Sequence, residues 1–173
     1  MDKEYVKELL EQYEQVARFP DGRIDFSHTK SAPVLNVFVV FKGEILLLKR
    51  SDKVGSYRGF WNVVGGYIDE PVSIEEKVFE ELSEELGITS NQVACLAFAD
   101  RFSVLDDDIP KEWLVHPVLV ELKEKIEPVL DWEHTDFVWT TPSQFSEYRL
   151  VKGFEDAFAS LLDSFPRAHS LFE

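Results

Sequence analysis

Apolar residues recur at Val6, Leu9, Leu10, Tyr13 and Val16, the spacing of one helix face, so residues 3–17 read as an amphipathic N-terminal helix. The polar stretch 18–32, with Asp21-Gly22, reads as loop. Dense apolar runs at 34–41 and 44–49 then flank Lys42-Gly43, the reversal that a hairpin needs. Residues 60–64 predict a further strand that leads directly into Gly65-Gly66.

Between 74 and 86 the period becomes helical. Ile74, Val78, Phe79, Leu82 and Leu86 fall within one arc roughly 140° wide, and Lys77, Glu80, Glu81, Glu84 and Glu85 fill the adjoining one. Glu81 and Glu85 lie at the seam between the two arcs. Ser73 followed by Glu76 predicts a capping box at the start of this helix. Pro71 keeps it from starting earlier, and Gly87 supplies a left-handed stop.

Residues 92–104 and 112–122 are long β-prone runs separated by Asp106-Asp107-Asp108-Ile109-Pro110, which reads as a solvated hairpin tip rather than a metal loop. A short strand at 137–140 and helices at 142–148 and 154–165 close the chain. Strands around one central helix, with helices at the end, predict an α/β/α sandwich with a mixed β-sheet. No internal repeat or low-complexity tract divides the chain, so residues 1–32 are expected as a helix-and-loop extension and 33–173 as one globular domain.

The acidic side of the central helix carries the chemistry. Residues three and four apart are surface neighbours, so Glu80, Glu81, Glu84 and Glu85 repel one another unless a cation offsets their charge. A hard divalent ion such as Mg²⁺ or Mn²⁺ prefers carboxylate oxygens and is the economical candidate; a solvated acidic face is the bland alternative. The joint pattern of glycines, carboxylates and closing Gly87-Ile88 resembles the Nudix family signature. Gly66 takes its first place, and Glu81, Leu82, Glu84, Glu85, Gly87 and Ile88 take its last six specified places. The looser likeness extends over about residues 33–165.

What the resemblance implies is a Nudix fold in which Glu81, Glu84 and Glu85 hold Mg²⁺ or Mn²⁺. The implied activity is hydrolysis of the diphosphate bond of a nucleoside diphosphate linked to another group. Metal bridging suits that chemistry, because it lowers both the charge repulsion and the pKa of an attacking water. Two signature places depart: Val72 stands where the family has glutamate, and Glu80 where it has arginine. Losing both partners of an interaction at once spares the fold, whereas the reversed charge at 80 bears on catalysis. Lys77, four residues before Glu81, is placed to supply part of the missing positive charge. The alternative reading is a catalytically weak or inactive Nudix-fold module that binds a nucleotide or regulates.

Composition narrows the partners. Lys and Arg number 18 against 33 Asp and Glu, a formal net charge of 18 − 33 = −15, which argues against binding to a nucleic-acid backbone. A small-molecule nucleoside diphosphate derivative is the expected partner. No apolar run is long enough to span a bilayer, and the charged start MDKEYVKELLEQYEQ does not read as a secretory signal. Cys95, the one cysteine, allows no internal disulfide and no thiolate zinc cluster, which suits a cytoplasmic location; within VACLAFA it is expected to be buried. The N-terminal helix could pack on the domain or on a second copy, giving a homodimer.

Outside the signature, Lys49, Arg50, Lys53 and Arg58 concentrate positive charge just upstream of the acidic helix. Arg50 and Arg58 are candidate phosphate contacts, with the Gly65-Gly66 backbone nearby; a basic edge that balances carboxylates is the competing reading. Glu133 is the candidate general base or fourth metal ligand, and His134 the candidate phosphate or leaving-group contact. Trp61, Trp113, Trp132 and Trp139 are each possible base platforms, although tryptophans more often pack cores and rims.

Overall fold

Alternation along the strands sets the layers of the fold. Val37 and Val39, Leu46 and Leu48, and Val118 and Val120 share one core with Val6, Leu9, Ile74, Val78 and Leu82. Their chain neighbours Phe38, Val40, Ile45, Leu47 and Leu119 point to the opposite core, against Phe145, Phe154, Ala157 and Leu161. Each large side chain fully withdrawn from water contributes about 1.5–3 kcal/mol, so both faces of the sheet must be covered.

The computed structural model describes residues 2–165 and 172; the rest of the expected domain end, and Met1, lie outside the described residues. Its strands are β1 (Ser31–Phe41), β2 (Glu44–Arg50), β3 (Trp61–Asn62), β4 (Val93–Phe98), β5 (Phe102–Asp106), β6 (Lys111–Leu122) and β7 (His134–Thr140). Helices α1 (Lys3–Glu11) and α2 (Ile74–Leu86) cover one face of the sheet, and α3 (Phe154–Ser164) covers the other. This is the expected α/β/α arrangement around a seven-stranded mixed sheet.

The central pair is parallel, β1 with β6, in register from Ser31 opposite Glu112 to Val40 opposite Glu121. Strand β2 pairs with β1 at Val40–Ile45 and Phe41–Glu44, then turns away to pair with β3 and β7. The segment 64–67 takes its place beside β1, through bridges Val37–Val64 and Val34–Tyr67. That split in the sheet puts Gly65-Gly66 between β1 and α2.

Several elements depart from the sequence expectation. Helix α1 ends at Glu11, because Tyr13 and Val16 close tight turns onto Leu10 and Tyr13, at 2.9 and 3.0 Å, while Gln12 donates to Leu9 O. Its apolar face, Val6, Leu9 and Leu10, is committed to this chain's own core. Residues 18–32 are not simple loop: Arg18 bridges Ile24, and Ile24 and Phe26 join the core of α1 and α2. The extension therefore shares the core of the domain.

The run 92–104 breaks into two strands because α3 takes its backbone. Asp100 N donates to Ser164 Oγ at 3.1 Å and Ser160 Oγ donates to Asp100 O at 2.7 Å. Residues 60–64 keep only Trp61–Asn62 as strand, β7 starts at His134, and 142–148 is 3-10 rather than α, with Tyr148 N bonding Phe145 O. Cys95 is exposed, not buried, because β4 is the outer strand beyond β6 and leaves one side of that run to solvent. The tip at 106–110 is a hairpin as expected, but Asp106 is buried rather than solvated. It accepts from Tyr57 Oη, Trp113 Nε1 and the amides of Asp108 and Ile109.

Candidate active site

Helix α2 forms where the sequence places it, with the Ser73–Glu76 capping box complete and Gly87 left-handed at φ 69°. Its apolar arc sinks into the core, which carries the seam residues Glu81 and Glu85 under the edge of the sheet. Across from them runs the Gly65-Gly66 segment, held to β1 by Leu35 N donating to Gly66 O at 2.9 Å. Neither glycine has room for a side chain. A Cβ on Gly65 would lie 2.7 Å from Leu35 O, and one on Gly66 would fall inside the Glu81 carboxylate.

Glu85 is 3% exposed, and its Oε2 is buried without a hydrogen-bond partner. Burial, and then the charges of Glu81, Glu133 and Asp131, push its carboxyl well above the usual range. Glu81 is pushed up to about 7, chiefly by burial, with Lys77 opposing and Glu80 and Glu84 adding to the rise. Glu84 is exposed at the rim of the same cleft. Burying carboxylates this deeply is costly unless something pairs with them.

Lys77 answers part of that need. It is buried, and its ammonium lies 2.8 Å from Glu80, 3.4 Å from Asp69, 3.5 Å from Glu81 and 3.6 Å from Glu70. Burial works against its charge, but the Glu80 hydrogen bond and the surrounding carboxylates outweigh it and hold the pKa above the ordinary lysine value. The positive charge expected from this residue is thus directed at Glu80 and Glu81.

The cleft has a volume of about 320 Å³ and extends from Glu81 and Glu84 to a wall formed by Tyr67 and Trp113. These two rings lie 6.3 Å apart at 34°, with Tyr67 stacked on Phe26 and the Lys111 ammonium 5.1 Å from the Trp113 ring. Tyr57, held at the uncommon φ of +53°, lines the far side and donates to Asp106. Asn62 presents a buried side-chain oxygen without a partner at the same cleft.

The remaining candidates divide. Arg50 and Glu133 both line the cleft; Arg50 Nε donates to Ser56 O at 3.1 Å, and burial followed by Asp131 raises the Glu133 carboxyl. Arg58 is exposed, donates to Val54 O at 2.9 Å and does not line the cleft. His134 is buried, not a cleft residue: its Nδ1 bonds Asp131 at 3.2 Å and its Nε2 lies 3.8 Å from Glu85 Oε2. Trp132 stands exposed on the surface, Trp61 packs on Tyr148, and Trp139 donates to Ile126 O, which leaves Trp113 as the tryptophan of the cleft.

Tyr67, Asn62 and Asp69 also line the cleft, and no motif in the sequence marks them. Tyr67 follows directly on Gly65-Gly66, and that adjacency is the signal that could have marked it.

Among the described residues, no three His, Cys, Asp or Glu side chains stand in a ready coordination arrangement. The donors nonetheless fit a hard cation: Glu85 Oε2 is buried and unpartnered, Glu81 stands one turn away on the same helix and lines the cleft, and both offer carboxylate oxygen.

Comparison with known proteins supplies the family. The NUDIX domain family model matches residues 30–161. The nucleoside triphosphatase NudI of Escherichia fergusonii is 26% identical over 113 residues, covering 62% of this chain and 80% of the relative. Among solved structures, the MutT protein of Methanosarcina mazei Go1 superposes with a TM-score of 0.60 at 24% identity, covering 82% of this chain and 97% of the other. The NUDIX domain of Shewanella oneidensis NrtR, solved with ADP ribose, gives a TM-score of 0.64 at 14% identity over 88% of this chain and 97% of that one. No described helix is long and apolar enough to cross a membrane. With the family match spanning most of the chain and the acidic helix set against its glycine pair, the chain belongs to the NUDIX domain family and is a Nudix-type pyrophosphohydrolase.

Proposed function

We propose that the protein is a divalent-metal-dependent hydrolase that cleaves the diphosphate bond of a nucleoside diphosphate linked to another group, nucleoside triphosphates included. The observation that carries this reading is the buried, unpartnered Glu85 Oε2 on the same helix as Glu81 and Glu84, which line a cleft whose other wall is aromatic. Glu81, Glu84 and Glu85 would hold Mg²⁺ or Mn²⁺. When bound there, the ion supplies charge neutralisation of the diphosphate and a lower pKa for the attacking water.

The chain's own groups do the rest. Arg50, on the cleft, pairs with a phosphate oxygen. Glu133, whose carboxyl is raised above the ordinary glutamate value by burial and then by Asp131, takes the proton of the attacking water. Tyr67 and Trp113 offer a face on which a nucleobase stacks. His134 orients Glu85 from behind rather than touching substrate. Addition of water across the anhydride gives two phosphorylated fragments.

The test is product release from a panel of nucleotide sugars, ADP-ribose, dinucleoside polyphosphates and nucleoside triphosphates, with Mg²⁺ and with chelator. Magnesium-dependent turnover of at least one member is expected. Ligand-stabilised melting with no turnover of any member would mark a nucleotide-binding module instead.

A further inference from the structure

The acidic helix carries its own counter-cation inside the fold. Lys77 is 4% exposed, and the four carboxylates of Asp69, Glu70, Glu80 and Glu81 surround its ammonium within 3.6 Å. A buried ammonium is tolerated when carboxylates pair with it, and the pairing here is unequal in consequence. Glu70 and Glu80 pair with no other cation among the described residues, and Asp69 has only Arg23 Nη1, at 3.8 Å, besides Lys77. Glu81 is held on two sides, by Lys77 Nζ at 3.5 Å and by the bare Cα of Gly66, whose Cβ would collide with it.

Residue 80 cannot do this work, since its carboxylate accepts from Lys77 at 2.8 Å. The same contact shows that a side chain rooted at position 80 reaches the spot where the ammonium lies. A cation anchored at either position would therefore meet Glu81 from the same side.

We propose that Lys77 is a positioning residue, which fixes the Glu81 carboxylate on the cleft wall and takes over from position 77 the task of a cation at position 80. Its consequence for catalysis rests on the reading of Glu81 as a metal ligand; the placement of Glu81 does not. With an apolar side chain at 77, Arg23 still faces Asp69, but Glu70, Glu80 and Glu81 lose their cation and repel one another, and Glu81 has no reason to stay against Gly66.

The test compares wild type, Lys77→Met and the Lys77→Met/Glu80→Arg double variant by crystal structures of the metal-free proteins and by calorimetric titration with Mn²⁺. In Lys77→Met the Glu81 carboxylate should leave Gly66 and Mn²⁺ affinity fall roughly ten- to a hundredfold, the usual effect of removing a partner of a metal ligand. In the double variant both should return toward wild type, a rescue that loss of packing alone cannot give. Glu81 unmoved in Lys77→Met with Mn²⁺ affinity unchanged overturns the proposal, as does a folded double variant in which Glu81 has left Gly66. If Lys77→Met fails to fold, the double variant alone decides by the position of Glu81. Wild type that binds no Mn²⁺, while Glu81 still shifts and is restored, sinks the metal-ligand reading and leaves the positioning role standing.

Discussion

The carboxylate of Glu81 packs against the bare Cα of Gly66, so closely that any Cβ there would collide with it. The contact joins the glycine pair to the acidic helix in three dimensions, 15 positions apart in the chain (81 − 66). Gly66→Ala should displace Glu81 while leaving the backbone conformation accessible, because Gly66 is not among the left-handed glycines. A displacement on the order of 1 Å at a reacting centre costs about a hundredfold in rate, so kcat should drop on that scale with little change in melting. Wild-type kcat in a folded Gly66→Ala protein would contradict the contact's role.

The raised carboxyls of Glu81 and Glu85 set a pH dependence in the absence of metal. Folded values above the unfolded value of 4.5 mean that both contribute stability below pH 4.5 and lose it as pH rises, through about 7 for Glu81. Denaturant unfolding of the metal-free wild type, compared with Glu81→Gln/Glu85→Gln, should therefore show the variant gaining relative stability between pH 4.5 and 7. Added Mg²⁺ should stabilise the wild type at pH 7 and leave the variant unchanged. A difference that stays flat with pH would remove the case for strained carboxylates.

His116 titrates in the opposite sense. It is fully buried in β6, accepts at Nε2 from Tyr5 Oη at 2.8 Å and meets Val34 O and Leu114 O through Nδ1. Burial is the main reason its pKa falls from 6.5 to about 4, with the two carbonyls opposing and Arg101 adding to the fall. The folded state keeps it neutral while the unfolded chain takes up a proton below 6.5, so stability is lost as pH falls from 6.5 toward 4. The loss should reach roughly 3 kcal/mol and be absent in His116→Gln, measured as the difference in unfolding free energy across that window.

The aromatic wall should govern substrate affinity rather than chemistry. Trp113→Ala removes a stacking face worth about 1–3 kcal/mol, so KM should rise roughly tenfold or more while kcat stays near wild type. Trp132→Ala, on an exposed ring away from the cleft, should change neither. Equal effects of the two substitutions would argue that the wall does not hold the base.

Legibility in the sequence followed the range of the interactions. Helix α2, its capping box and its glycine stop were readable because each depends on residues within four positions. The alternating strands were readable for the same reason. Cys95 is exposed where its apolar run predicts burial, because such a run does not say whether its strand lies at the centre or the edge of a sheet. Residue type marks Arg58 and His134 as candidate substrate contacts, but their positions, one bonded to Val54 O and the other 3.8 Å from Glu85, depend on the fold. Lys77 was visible as a nearby charge; its burial among four carboxylates depends on Asp69 and Glu70, brought in by the loop from the glycine pair.

The central claim is that the Glu84 and Glu85 carboxylates hold the metal that hydrolysis requires. Its most direct test is Mg²⁺-dependent turnover of Glu84→Gln and Glu85→Gln, each checked for wild-type folding by melting, on whichever diphosphate the wild type cleaves. The account predicts a fall of about a hundredfold or more in kcat for each, the scale of losing a group that stabilises transition-state charge, with the fold intact. Undiminished turnover in both variants would contradict it.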